Sequence, residues 1–298
     1  MQPRELKPDD AAPLPRASSV LAAISLLTDP DSAVVAACRA QLLRWGSEVR
    51  PHLMCAMDDG EPRLRHQARM MLRALDLQEW ARSVERFAKS VPSQGAMSWE
   101  QLEAGAVLLS GLGRPDVVDA AELARTLDGF AAELRPRLAN KSPVTCARLL
   151  AGYLSTQLGY GGSRSSFYEV GNVHFDRVVQ VRRGVPVALT LLYLLVGRRA
   201  GLQVSGVAIP DHFLVRVHGL RPVLIDPYHE GRQVTKADCV RYLRIAGYGL
   251  HTKSYLEDVP DRQLLDCLLR DLLRVYGYRE DHEVCSVLER TRQSLMHA

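Results

Sequence analysis

The sequence predicts a mostly helical α+β protein, in which a buried helix packs on a small antiparallel sheet flanked by helical segments. Three observations carry this expectation. The stretch from Val185 to Val196 is dominantly apolar, is headed by Gly184 and is closed by Gly197, Arg198 and Arg199, as a helix buried all round should be. Extended runs follow it at Val204 to Ile209, Phe213 to Val217 and Pro222 to Asp226, with Pro227 ending the last. Before and after this region, apolar residues recur at helical spacing.

Composition sets the outer limits. The chain of 298 residues is 47% hydrophobic and 24% charged, which suits a packed core and argues against wholesale disorder. No apolar run reaches the roughly 18–20 residues of a membrane helix. The opening MQPRELKPDDAAPLPR has acidic residues and prolines but no apolar signal core, so the expected location is the cytoplasm. Six cysteines, Cys38, Cys55, Cys146, Cys239, Cys267 and Cys285, are scattered with no C-x-x-C pair, which reads as reduced, mostly buried thiols. The formal charge of +4 is mild and the arginines are dispersed. Arg65, Arg69 and Arg73 share one helical face, but a solvated face explains them better than nucleic acid does.

In chain order, residues 1–17 read as a flexible leader. Residues 18–90 contain two similar segments, DPDSAVVAACRAQLL from Asp29 and DGEPRLRHQARMMLR from Asp59, offset by about thirty residues in the manner of short HEAT-type repeats. Val34 matches Leu64, Cys38 matches Ala68, Arg39 matches Arg69 and Leu42 matches Leu72. Pro, Ser and Gly in 87–97 mark a boundary. An α+β core is expected over 97–252. Ser98 and Gln101 form a capping box at its first helix, and further helices run from Val117 to Leu138 and from Pro143 to about Leu158. After a Gly-rich loop at Gly159, a short helix around Phe175 to Arg182 leads to the buried helix. Residues 258–298 read as a helix pair resembling one tetratricopeptide-type unit.

The chemistry-bearing stretches are RRGVPVALTLLYLLVGRRAGL (182–202), IPDHFLVRV (209–217) and LIDPYHEG (224–231). A glycine-headed buried helix, a His on the next strand pair and an Asp closing the following strand resemble the transglutaminase-like superfamily, with its papain/transglutaminase-like core. Gly184-Val185-Pro186, His212-Phe213-Leu214-Val215-Arg216 and Ile225-Asp226-Pro227-Tyr228 are most similar to a SirB-one-type branch, as is FYEVGNVHFDRVVQVR (167–182). The likeness runs from about Trp99 into the terminal helices.

The resemblance implies a cysteine at the start of the buried helix, where unpaired N–H groups and the helix dipole favour thiolate. It also implies His212 as base and Asp226 as the carboxylate that orients it. Here the nucleophile position holds Pro186, which suits a first helical turn but attacks nothing. Thr190, one turn on, offers only a weakly nucleophilic hydroxyl, and Cys146 would have to fold into reach. His212 is thus open to three readings: a structural histidine bonded to Asp226, part of a ligand-binding cleft, or a base for water or an unrecognised nucleophile. His212, Asp226 and His229 have the donor chemistry of zinc. However, Asp226-x-x-His229 spans a strand end and a turn with no matching precedent, so no metal and no cofactor are expected. Asn172 either caps its segment or lines the cleft, and Arg183, His212 and Arg216 could together meet a small acidic ligand. Two functions follow as expectations. One is a non-catalytic module that binds a protein partner through its helical segments, without membrane or nucleic acid. The other is a hydrolase or acyl-transferase of amide bonds.

Overall fold

The computed structural model describes residues 15–92, 96–114, 119–163, 169–248 and 254–297. Residues 1–14 of the expected leader, Val117 at an expected helix start and residues 164–168 before the buried helix lie outside the described residues. Contacts divide the chain into two units, 1–79 and 80–298.

In the first unit, α1 (Ala17–Ser25), α2 (Ser32–Trp45), α3 (Arg50–Ala56) and the opening turns of α4 (Pro62–Ser90) enclose a core of Val20, Ile24, Leu27, Leu42, Leu53 and Met71. The two similar segments start in the same way. Asp29 Oδ1 accepts the Asp31 amide at 2.8 Å, and Asp59 Oδ1 accepts the Glu61 amide at 2.8 Å. An Asp bonding the backbone two residues on turns the chain into each helix. Arg65 braces the second turn, its guanidinium donating to the Asp59 and Gly60 carbonyls.

The second unit contains α5 (Trp99–Ser110), α6 (Ala120–Leu138), α7 (Pro143–Ala151) with a π-helical turn over Gly152–Gln157, β1 (Gly161–Gly162), α8 (Phe175–Val181), β2 (Arg183–Gly184) and α9 (Pro186–Arg199). It continues with β3 (Val204–Ile209), β4 (His212–Val217), β5 (Val223–Asp226), β6 (Arg232–Val234), α10 (Lys236–Ile245), β7 (Asp258–Val259), α11 (Asp261–Tyr278) and α12 (His282–His297). The capping box of Ser98 and Gln101 is formed. The α+β expectation holds, with a sheet larger than expected. Its five strands run in the order β6-β5-β4-β3-β7, and every neighbouring pair is antiparallel. No helix among the described residues is long and apolar enough to cross a membrane. Of the six free thiols only Cys146 and Cys239 are fully buried and Cys55 is exposed, so the expectation of mostly buried cysteines is corrected.

Helix α9 is buried from Val187 through Gly197. One face of the sheet covers it: at Gly197 an added Cβ would stand 3.1 Å from Val204, and at Gly206 one would stand 3.0 Å from Leu264 of α11. At the far end of α9, Arg198 meets the buried Asp261 with both guanidinium nitrogens, at 2.6 and 2.8 Å, and Asp261 also accepts the Met97 amide at 2.7 Å. Arg262 then gathers the Ala88, Val91 and Leu295 carbonyls at 2.7, 2.8 and 2.6 Å, placing a cation where the ends of α4 and α12 leave carbonyls unpaired within the helix. Helix α8 is capped from a distance, since Ser110 Oγ of α5 accepts the Phe175 amide at 2.8 Å. Beside it, the His174 Nδ1–H donates to the Ser110 carbonyl at 2.9 Å.

Removing one partner of a buried ion pair strands the other charge. Arg198→Ala should therefore lower unfolding free energy by about 3–5 kcal/mol. Arg198→Ala combined with Asp261→Ala should cost less than the single change, as measured by urea denaturation. A second expectation concerns acid. Burial, with the Arg114 guanidinium nearby, pushes the His174 imidazole down to about 4. The unfolded chain takes up this proton near the ordinary value of about 6.5 and the folded chain does not, so stability present above pH 6.5 drains away as pH falls toward 4. His174→Gln should remove that component, flattening the stability profile between pH 6.5 and 4 by an amount on the order of 3 kcal/mol.

Candidate functional site

The hairpin from β3 to β4 turns on Pro210-Asp211, with Ile209 paired to His212 and Asp211 at φ +56°. Proline presets the first turn position, and aspartate tolerates the left-handed second one. His212 therefore opens β4 directly after the turn. Asp226 closes β5, which runs antiparallel beside it, so the two meet at one end of the sheet. His212 Nε2 lies 2.8 Å from Asp226 Oδ1. The β5–β6 loop then returns His229, whose Nδ1 lies 2.7 Å from Asp226 Oδ2 and whose amide donates to Oδ1 at 3.2 Å. Arg232, the cross-strand partner of Asp226, brings Nε to 3.7 Å from the carboxylate.

Asp226 is 2% exposed. Burial works to raise its pKa, but the hydrogen bond and charge of His212 and the bonds from His229 outweigh it, and the carboxyl is held below its ordinary value. Tyr228 braces both imidazoles edge-on, with ring centroids 5.8 Å from His212 and 5.2 Å from His229, and anchors its hydroxyl on the Ser163 carbonyl at 2.9 Å. The arrangement is a buried anion clasped by two imidazoles in fixed orientations. It can share protons, hold an anion against protonated rings, or present three donors to a cation.

The remaining residues singled out by sequence are distributed differently. Pro186 opens α9 and lines a cavity of about 720 Å³ with Ile209, Asp211, Phe213, Cys267 and Asp271; His212 does not line it. Phe213 and Val215 share the α9 face with Val204 and Gly206. His212 and Asp226 share the opposite face with Leu214 and Leu224, which pack with Cys239 and Leu243 of α10. Thr190 is fully buried in α9, and its hydroxyl has no hydrogen-bond partner among the described residues. A second depression, of about 760 Å³, is lined by Arg183, Tyr228, His229, Glu230 and Ser163. Arg183 donates there to the Gly159 and Arg182 carbonyls. Asn172 is buried, donates from its amide to Ser163 Oγ at 3.1 Å, and offers its carbonyl to the Val185 amide at 2.9 Å. Arg216 pairs with Asp258 and bonds the Leu256 carbonyl, so it does not join Arg183 and His212 around one ligand.

Tyr228 and Arg232 were not foreseen as site residues. Tyr228 was visible inside the IDPY motif. Arg232 could have been found only from the hairpin register, as an opposite charge across from Asp226.

The loop that delivers His229 depends on Gly231, at φ +70°, where an added Cβ would stand 2.8 Å from Ala151 Cβ and 2.9 Å from the Tyr193 hydroxyl. Gly231→Ala combines left-handed strain with overpacking and should cost about 2–4 kcal/mol. It should also displace the His229 ring resonances in an NMR spectrum while leaving α12 signals in place.

A family model of the transglutaminase-like superfamily matches residues 121–270, a stretch that contains α9, the sheet and the His212–Asp226–His229 cluster. The chain is 32% identical over 131 residues to the UPF0162 protein of Xylella fastidiosa (strain Temecula1), covering 42% of this chain and 47% of that one. It is 31% identical over 137 residues to human F-box only protein 21, covering 43% of this chain and 21% of that one. The chain thus spans less than half the length of these curated relatives. No solved structure matches it significantly. With half of its length matched by the family model, the chain belongs to the transglutaminase-like superfamily.

Proposed function

We propose that this chain is a non-catalytic transglutaminase-like protein of the SirB-one type, in which Pro186 stands at the nucleophile position. It acts in the cytoplasm as a protein-binding or regulatory module. The core, residues 97–252, lies between HEAT-like helices at 18–90 and tetratricopeptide-like helices at 258–298, and the helical segments meet the partner.

The carrying observation is that Pro186, which has no nucleophilic side chain, opens α9 where the resemblance places the cysteine. Three thiols of the second unit offer no ready substitute. The Cys146 sulfur sits against the Leu138 and Lys141 carbonyls at 3.9 and 3.7 Å. Cys239, on the dyad's side of the sheet, is buried among apolar residues that raise its thiol. Cys267 shares the Pro186 cavity, but burial pushes its thiol up to about 11. The buried Thr190 hydroxyl is closed to substrate. Large apolar side chains left in solvent on these helices, such as Leu21 and the 57% exposed Met54, supply anchors for a partner, and the likeness to F-box only protein 21 supports a protein-interaction role. The intact 2.8 Å pair of His212 and Asp226 favours the second reading, a hydrolase or acyl-transferase that activates water.

The test incubates the full chain with a glutamine-donor peptide plus amine and with an activated ester. No turnover above the uncatalysed rate is expected. Turnover that His212→Ala abolishes would sink the reading and establish the hydrolytic one. Met54→Asp, with unchanged stability, should weaken crosslinking to a protein partner at least tenfold.

A further inference from the structure

We propose that His212, Asp226 and His229 form a binding site for a divalent transition-metal ion, zinc in the first instance. This goes beyond the non-catalytic reading and does not depend on it.

Each of the three residues offers a ligand atom, and all three atoms lie within 4.8 Å of one another. Zinc held by imidazole nitrogen and carboxylate oxygen at about 2.0–2.2 Å keeps its donors about 3.3–3.6 Å apart. The cluster is therefore within a side-chain adjustment of coordination geometry. That adjustment falls to His229, whose side chain is 52% exposed at a loop, while the Asp226 side chain stays fixed at 2% exposure. Two imidazoles and one carboxylate are a borderline donor set that suits zinc and excludes magnesium or calcium, which take oxygen.

Second contacts prepare the site as well. Tyr228 fixes the planes of both rings, and its hydroxyl is tied to the Ser163 carbonyl. The Asp226 carboxylate is held ionised, as a ligand must be. The Arg232 guanidinium, 3.7 Å from the carboxylate, is the cation that metal would displace, and at 64% exposure it is free to swing into solvent. Three protein ligands leave a fourth position for water on the side of the depression shared by His229 and Arg183. The nitrogens that face Asp226 carry protons in the metal-free protein. Coordination moves each of these protons to the far ring nitrogen, and a doubly protonated ring has no nitrogen left to bind, so binding weakens as pH falls.

The experiment is a cobalt(II) titration of tag-free full-length protein with its cysteines alkylated, followed by visible absorption and repeated with zinc by calorimetry. One equivalent of cobalt should give the intense visible bands of a four-coordinate ion with nitrogen and oxygen donors. Zinc should then displace the cobalt and raise the melting temperature. His229→Ala, on an exposed loop, should keep its circular dichroism spectrum and lose at least tenfold in affinity. Asp226→Asn should lose the bands. Absence of the bands in the wild type, or affinity unchanged by His229→Ala, would overturn the proposal and leave the cluster a hydrogen-bonded triad.

Discussion

The second unit is organised by one constraint: α9 has no polar side to turn toward water. From Val187 to Gly197 every residue is buried, so the helix must be enclosed on all sides. The sheet supplies one wall, and α5, α6, α8 and α11 supply the others. Its cationic end is accommodated by carboxylates and an aromatic face. Arg198 meets Asp261, and Arg199 lies 3.9 Å from the centroid of the Trp99 ring with Asp128 at 3.0 Å. These cations sit where the carbonyls of the helix end concentrate negative potential. Burial lowers the Arg199 guanidinium to about 10, although Glu100 pulls it the other way.

Because α9 claims one face of the sheet, the functional cluster is left to the other. His212 and Asp226 alternate with Phe213 and Ile225, of which Ile225 is fully buried and Phe213 half-buried. The sheet thus has an apolar side and a side that carries His212, Asp226, Arg216 and Ser205 among Leu214 and Leu224. Arg216 reaches Asp258, and Ser205 reaches His218 at 2.8 Å, so this second side is tied by polar contacts where α10 does not cover it. Pro186 suits its place for local reasons, since the first turn of α9 needs no donor there.

Much of this was legible in the residues. The apolar run betrayed α9, the turn residues around HFLVR and IDP betrayed three strands, and Ser98 with Gln101 announced α5. The His212–Asp226 pairing followed from the motif. What escaped was what depends on chain-distant partners. Strand β7 is two residues long and exists only because β3 has a free edge to pair with. Helix α10 carried a local signal, Thr235 and Asp238 in a capping box, that was passed over. The parity of His212 against Val215 could be read from the sequence, but which helix would cover which face could not. The cap that Ser110 places on α8 joins residues 65 apart and leaves no local trace.

The route by which the sheet is assembled follows from its strand order. Strands β3 to β6 are a meander in which each strand pairs with its sequence neighbour, so their loops close at little entropic cost. Strand β7 and Asp261 arrive only after α10, and the Arg198–Asp261 pair spans 63 residues. Long-range closures of this kind come late and slow a folding reaction. The meander with α9 is thus a nucleus that can form while the chain is still being synthesised. The helix pair α11–α12 is then the latch that locks it, and its first helix begins two residues after the strand that completes the sheet.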